Sequence, residues 1–353
     1  MRLLHPLQHL AHWITHRYSH GGSKTRLEHL DGWRGIAISI VLLSHFGPVT
    51  QLLPFDRVLL GRLGVDFFFV LSGFLMANIL FVKRTPLSIF YKRRVSRIFP
   101  VFLFYVVAIY GYGWLFTDAE ETKNFLSTLT FMRGYFPLEQ DIWRVDLPVS
   151  NLWSLNVEEH SYVLLSLLTL IAAFHKREYL PLLALGFAAI TIHYLYIRYP
   201  HIAIGRYSVR TETAMSHLMI SAGYFMLCRK ISIRPPGWVV LAVLIGGVWS
   251  YTRHAPWFAS WLLAPFLLSF AVNHAHRLPR PILGLLRFGP LRLLGIWSYS
   301  IYLWQQPYYI WHKHGGWSFS GSAMLLFLLA LFTGVVSFNI LENPVRRWLN
   351  RHW

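Results

Sequence analysis

The chain has 353 residues, of which 55% are hydrophobic, 17% aromatic and only 14% charged, and its formal net charge is +18. Charged residues this scarce exclude an ordinary soluble globular domain and point to a polytopic membrane protein. The basic excess does not indicate a nucleic-acid partner, because its position along the chain follows the membrane spans.

Apolar runs of about 17 to 22 residues, the length that crosses a hydrocarbon core, predict an all-α protein of about ten transmembrane helices. They lie near 33–53, 64–82, 99–117, 154–174, 179–197, 212–228, 238–253, 257–273, 293–312 and 321–341. With the N-terminus in the cytoplasm, the segments 1–30, 83–97, 175–178, 229–236, 274–292 and 342–353 face inward and hold most of the 33 basic residues. This is the positive-inside pattern, and it puts both termini in the cytoplasm. Three units are expected: a His-rich amphipathic segment 1–30, one membrane domain 31–345, and a basic tail 346–353.

The opening stretch MRLLHPLQHLAHWITHRYSHGGSKTR lacks the uninterrupted apolar core of a signal peptide. His5, His9, His12, His16 and His20 include pairs at helical spacing, but no Cys or carboxylate interleaves them. An interfacial helix is the expectation, and no metal is predicted. The single cysteine, Cys228, excludes an intramolecular disulfide and a Cys-based zinc cluster.

The first span carries two ionisable residues, Arg34 and His45, in WRGIAISIVLLSHF. Eleven residues at 100° each return them to one helix face, about 16 Å apart along the axis. Ionisable groups in hydrocarbon are costly and mark function by default. Arg34, near the inner edge, either snorkels to lipid phosphates or faces a tunnel, and His45 is either a base or a hydrogen-bonded interhelical residue. Asp66 opens the second span at its outer edge, where it either orients an imidazole, binds a substrate hydroxyl or is simply solvated. Ser72-Gly73 further along would permit close approach of a neighbour.

Lys92, Arg93, Arg94 and Arg97 precede the third span, and Arg93 and Arg97 share a face. Their guanidinium groups suit phosphates, although a stop-transfer cluster has the same composition. The interval 118–153 contains FLSTLTFMRGYF, too short to span and expected as a half-inserted outer helix. Glu158, Glu159 and His160 begin the fourth span on the outer side. Adjacent carboxylates diverge on a helix, so they form no paired dyad; Trp153, Ser154 and Tyr162 flank them. Glu342, four residues before Arg346, is expected to form a local ion pair at the end of the last span.

Six segments in order carry a family resemblance: HLDGWRGIAISIVLLSHF (29–46), GVDFFFVLSGF (64–74), KRRVSRIFP (92–100), NLWSLNVEEHSY (151–162), WSYSIYLWQQP (297–307) and ENPVRRW (342–348). The chain resembles the acyltransferase-3 family of integral-membrane acyltransferases. The resemblance implies O-acylation of an extracytoplasmic glycan or lipid-linked saccharide at a bacterial inner membrane, with acetyl-CoA or another coenzyme A thioester as the donor. Arg34 and His45 match the family's Arg-x10-His motif, which implies that His45 deprotonates the acceptor or transiently carries the acyl group. It implies catalytic roles beside it for Arg34, Asp66 and Glu158, and coenzyme binding by Arg93, Arg94 and Arg97. Gln305 departs from the family, which commonly has a histidine there, so the burden of proton transfer falls on His45. Some relatives carry a soluble glycan-modifying domain, and here the acceptor is expected to be met directly or through a separate periplasmic partner. The competing class is a transporter or flippase with Arg34, His45 and Asp66 as a proton relay, and no inverted repeat supports it.

Overall fold

The computed structural model describes residues 28–48, 53–116, 122–137, 147–171, 177–203, 205–313 and 322–353. The histidines of segment 1–27, and with them the metal-site alternative, lie outside these. Among the described residues the secondary structure is helical, and the one strand-like pairing is an isolated bridge between Phe55 and Thr252. Helices satisfy their backbone groups internally, as a chain in hydrocarbon requires.

The main elements are α1 (Glu28–Phe46), α2 (Arg57–Ala77), α3 (Leu87–Phe116), the short α4 (Thr122–Leu129), α5 (Trp153–Leu170), α6 (Tyr179–Arg198), α7 (Ser216–Cys228), α8 (Gly237–Trp249), α9 (Ala264–Asn273), α10 (Arg280–Leu286), α11 (Gly289–Lys313), α12 (Ser322–Ser337) and α13 (Asn343–His352). π-turns extend α2 over Asn78–Val82, lead into α9 over Ala259–Leu263 and join α12 to α13 over Phe338–Glu342. Among the described residues, four helical stretches are long and apolar enough to cross a bilayer: Arg57–Val82, Leu87–Phe116, Tyr179–Arg198 and Ala323–His352. That is fewer than the ten apolar runs of the sequence. The apolar helices Ser216–Cys228, Gly237–Trp249 and Ala259–Asn273 are shorter, and α1, α5 and α11 carry the polar side chains that build the site.

α1 lies between α2 and α11. Helices approach this closely only where a side chain is missing: a Cβ on Gly295 of α11 would fall on the Asp31 carbonyl of α1. Gly73 of α2 similarly meets the Leu218 carbonyl of α7, and Ser221 Oγ donates to the Val70 carbonyl at 2.7 Å beside it. The apolar core between these helices includes Ile38, Val41, Phe69, Leu218 and Ile301.

One helix starts earlier than the hydropathy reading and another starts inside the protein, and both differences move site residues. α2 begins at Arg57, where Asp56 caps it by accepting from Leu59 N at 2.9 Å. Asp66 therefore lies about 14 Å into the helix rather than at its outer edge. α5 begins within the protein: its lead-in turn Ser150–Leu152 is buried, and Asn151 Nδ2 donates to the Tyr302 carbonyl of α11 at 2.8 Å. Glu158 consequently lies on the level of Ser72 and Arg94 instead of at the outer surface. The apolar segment expected as a half-inserted helix contributes α4, which is tied to α3 by Tyr110 Oη and Thr128 Oγ1 at 2.9 Å.

Because Gly295 is a contact of backbone on backbone, Gly295→Leu is expected to destabilise the protein by about 3 kcal/mol or more. A clear drop in thermal midpoint of the detergent-solubilised protein checks this. An unchanged midpoint would mean that α1 and α11 are held apart by other contacts.

Candidate active site

One cavity of about 100 Å³ gathers polar side chains from five helices. α1 contributes Arg34, α2 Ser72, α3 Arg94 and Arg97, α5 Ser154, Glu158 and Tyr162, and α11 Ser298, Tyr299 and Tyr302. Four of the expected site residues, Arg34, Arg94, Arg97 and Glu158, thus meet in one chamber.

The charges in this chamber are not equivalent. Arg94 is bound to Glu159 through Nε at 3.0 Å and Nη2 at 2.7 Å, reaches Glu158 at 3.3 Å, and lies 3.6 Å from the Tyr162 ring centre. Glu158 also accepts from Ser72 Oγ and Tyr162 Oη, each at 3.0 Å. Both carboxylates are thereby committed, and Arg94 with them. Arg34 has only a loose contact with Asp31, at 3.9 Å. Arg97 makes no ion pair with the described residues. The capacity to receive an anion therefore rests with Arg34 and Arg97. Arg93, one residue before Arg94 and so about 100° round the helix, is exposed and does not line the cavity.

His45 lies outside the chamber, towards the far end of α1. Its Nδ1 is 2.5 Å from Gln305 Oε1, its ring stacks on Tyr309 at 3.9 Å, and Arg57 Nη1 donates to its carbonyl at 3.4 Å. A line of polar groups joins it to the chamber. Gln305 Nε2 faces the Tyr302 carbonyl at 3.4 Å, and Tyr302 Oη, which lines the chamber, is 2.7 Å from Ser154 Oγ. A second branch runs from Gln305 to Gln306 at 3.3 Å and on to Ser150 Oγ at 2.7 Å. Arg34 and His45 thus stand at the two ends of one polar seam between α1, α5 and α11.

Asp66 belongs to neither end. It takes both bonds of the Arg62 Nε at 3.0 Å and one from Tyr251 Oη at 2.7 Å. It does face an imidazole, but that of His217, at 3.6 Å, and His217 Nε2 is also 3.0 Å from Tyr251 Oη. Arg62 in turn donates to the Ser208 carbonyl at 2.8 Å and lies over Trp153 at 4.9 Å. Sequence reasoning did not find Arg62, His217 or Tyr251. A histidine in the apolar run 212–228 was the available signal for His217, while Tyr251 comes from a separate helix end. A relay through Arg34, His45 and Asp66 would need the three on one path, and Asp66 stands apart.

Glu342 makes the expected local ion pair with Arg346, at 4.0 Å, and is buried in the π-turn before α13, where it also accepts from Ser300 Oγ of α11 at 2.7 Å.

Removing the Asp66 carboxylate would strand the Arg62 guanidinium in the core. Asp66→Ala is therefore expected to cost about 3 to 5 kcal/mol of stability. Thermal unfolding in detergent measures it, and a variant as stable as the wild type would show that the cluster is not a brace.

A family model described as an acyltransferase domain matches residues 27–341. Among curated proteins, the chain is 24% identical to the O-acetyltransferase OatA of Staphylococcus aureus (strain NCTC 8325 / PS 47), over 90% of this chain and 57% of that protein. It is 24% identical to the peptidoglycan O-acetyltransferase OatA of Listeria monocytogenes serovar 1/2a, over 92% of this chain and 56% of that one. It is 25% identical to the putative peptidoglycan O-acetyltransferase YrhL of Bacillus subtilis (strain 168), over 98% and 56%. The chain spans about half the length of these curated relatives. No solved structure matches it. With the family model covering the helices that build both the chamber and the polar seam, the chain belongs to the acyltransferase-3 family of acyltransferase domains.

Proposed function

We propose that the chain is a membrane O-acetyltransferase that passes an acetyl group from a cytoplasmic acyl-CoA thioester to a hydroxyl of an extracytoplasmic glycan. The observation that carries this reading is the polar seam. Two arginines without close carboxylate partners stand at one end, a histidine stands at the other, and Ser154, Tyr302 and Gln305 lie between them. Coenzyme A carries phosphates that suit guanidinium groups. The arrangement separates a phosphate-binding end from a proton-accepting end by about 16 Å of α1. A transfer across a membrane needs that separation, because donor and acceptor arrive from opposite sides.

Arg34 and Arg97 would hold the donor phosphates. Arg94, tied to Glu158 and Glu159, keeps the chamber walls in place. At the other end, the acceptor hydroxyl gives its proton to His45 as its oxygen bonds to the thioester carbonyl carbon. The carbon–sulfur bond then breaks, and the departing thiolate takes the proton from the imidazolium. A covalent variant, in which His45 carries the acetyl group between donor and acceptor, uses the same residues. Incubation with acetyl-CoA but no acceptor separates the two, since only the covalent route adds an acetyl group to the intact protein. The positive-inside charge pattern supports cytoplasmic termini in a bacterial inner membrane and puts the Arg34 end on the donor side. The names of the relatives from Listeria and Bacillus favour peptidoglycan as the acceptor. Mass spectrometry of cell-wall fragments from cells with and without this chain tests that choice.

The donor assignment predicts that Arg97→Ala and Arg34→Ala each raise the KM for acetyl-CoA about tenfold or more, the worth of one charge-assisted hydrogen bond. Arg93→Ala, outside the cavity, should change it far less. Unaltered donor KM in both cavity variants would leave the arginines as topology signals only.

The base assignment predicts that His45→Gln lowers kcat by about 100-fold or more while the protein still folds. Glutamine keeps hydrogen bonding at similar volume but has no nitrogen that takes a proton at neutral pH. Turnover close to the wild-type rate would make His45 a structural residue.

A further inference from the structure

Gln305 is fully buried on α11, yet it is the residue in direct contact with the candidate base. Its amide can be placed either way round, and its surroundings select one orientation. Nε2 faces the Tyr302 carbonyl at 3.4 Å and Gln306 Oε1 at 3.3 Å, both acceptors. Of the two, the Tyr302 group is a main-chain carbonyl and has no donor form, so it selects the orientation by itself. A carbonyl oxygen can only accept, so the donor end of Gln305 belongs on that side and Oε1 is left facing His45 Nδ1. The 2.5 Å contact therefore requires a proton on Nδ1, donated to Gln305.

The ring is held in two further ways. Tyr309 stacks on one face at 3.9 Å with an interplanar angle of 13°, and Phe46 meets it edge-on at 6.5 Å. Among the described residues, the other titratable or charged groups beside it are Arg57, which binds the His45 carbonyl, and His312, which packs against Phe46.

We infer that Gln305 is the positioning residue of the transfer reaction, holding His45 as the Nδ1–H tautomer so that Nε2 is the nitrogen that receives the acceptor proton. The inference rests on His45 being the base. When Nε2 takes the hydroxyl proton, the imidazolium carries a hydrogen on each nitrogen. The Nδ1 hydrogen stays donated to Gln305 Oε1 throughout, and the Nε2 hydrogen leaves with the thiolate. A neutral amide here does the orienting work that a carboxylate does in a Ser-His-Asp triad, without adding a charge to the apolar span. It also accounts for a chain that lacks the family's usual histidine at this position. What His45 needs from position 305 is an acceptor, and a second titratable ring is not required for that.

Two substitutions test the acceptor. Gln305→Met keeps length and volume but offers no acceptor for Nδ1–H, whereas Gln305→Glu keeps the acceptor and removes the donor. Transfer of labelled acetyl from acetyl-CoA to muropeptides is measured with the full chain in liposomes, and each variant is checked for folding by its thermal midpoint. The methionine variant should lose about 100-fold in kcat, the cost of a reacting group held in the wrong geometry. Its donor KM should stay within about twofold, since the phosphate end of the seam is untouched. The glutamate variant should stay within about tenfold of the wild-type kcat, as a carboxylate serves the same purpose in triads. Wild-type kcat in the methionine variant overturns the inference, and so does a glutamate variant as impaired as the methionine one, which would mean that Gln305 acts as a donor. If the methionine variant does not fold, the glutamate variant alone decides: a kcat within about tenfold of wild type supports the inference, and a loss of about 100-fold overturns it. His45→Gln, run in parallel, keeps the two ideas apart. An inactive His45→Gln with a fully active Gln305→Met removes only the role of Gln305, while an active His45→Gln removes the base itself.

Discussion

The contact of α1 with α11, made backbone to backbone at Asp31 and Gly295, sets where every other polar group of the site can be. The two helices run in the same direction, since Gly295 lies on Asp31 at one end and Gln305 on His45 at the other. A side chain in place of the glycine hydrogen would hold the helices apart, and the 2.5 Å contact between His45 and Gln305 further along could not form. Residues that share a face on α1 are thereby matched by residues that share a face on α11. The seam between them is polar because Arg34, His45, Tyr302 and Gln305 all turn into it. α5 closes the seam from the side, and it can do so because its first turn starts beneath the surface, fastened to Tyr302 through Asn151 and Ser154.

In an apolar surrounding the cost of a charge depends on whether a partner is present, and this distinguishes the arginines of the core. Arg94 and Arg62 are each satisfied by carboxylates on two or more bonds, which makes them parts of the scaffold. Arg34 and Arg97 are not, and they face the same cavity. A chamber whose arginines have few close carboxylates among the described residues suits an anion. At Asp66 the charges are closely paired: Arg62, Tyr251 and His217 surround the carboxylate and tie α2, α7 and the end of α8 together.

Much of this was legible in the amino-acid sequence. Hydropathy identified the helical, membrane-type class, and the period of 3.6 residues put Arg34 and His45 on one face. The family resemblance directed attention to Arg94, Arg97 and Glu158, which the fold gathers into one chamber with Arg34. Less legible were the depths. Asp66 and Glu158 were read as outer-edge residues because each stands near the beginning of an apolar run, and hydropathy assumes that a run begins at the membrane surface. α2 starts earlier, at a charged turn capped by Asp56, and α5 starts where the apolar run does but inside the protein, so both residues lie deeper than expected.

Composition, periodicity and charge asymmetry determined by themselves that this is a helical membrane chain with an arginine and a histidine on a common face, since those properties are local and survive any packing of the helices. Which arginines remain available to an anion was decided only by tertiary structure. It depends on whether a carboxylate from another helix comes within hydrogen-bonding distance, as Glu158 and Glu159 do for Arg94 and Asp66 does for Arg62. The pairing of His45 with Gln305 is of the same kind. The two residues are 260 positions apart, and their contact exists because a glycine lets two helix backbones touch. Spacing along the chain carries no information about such a distance, because the free energy that fixes it comes from the packing of helix surfaces and not from either residue's own neighbours.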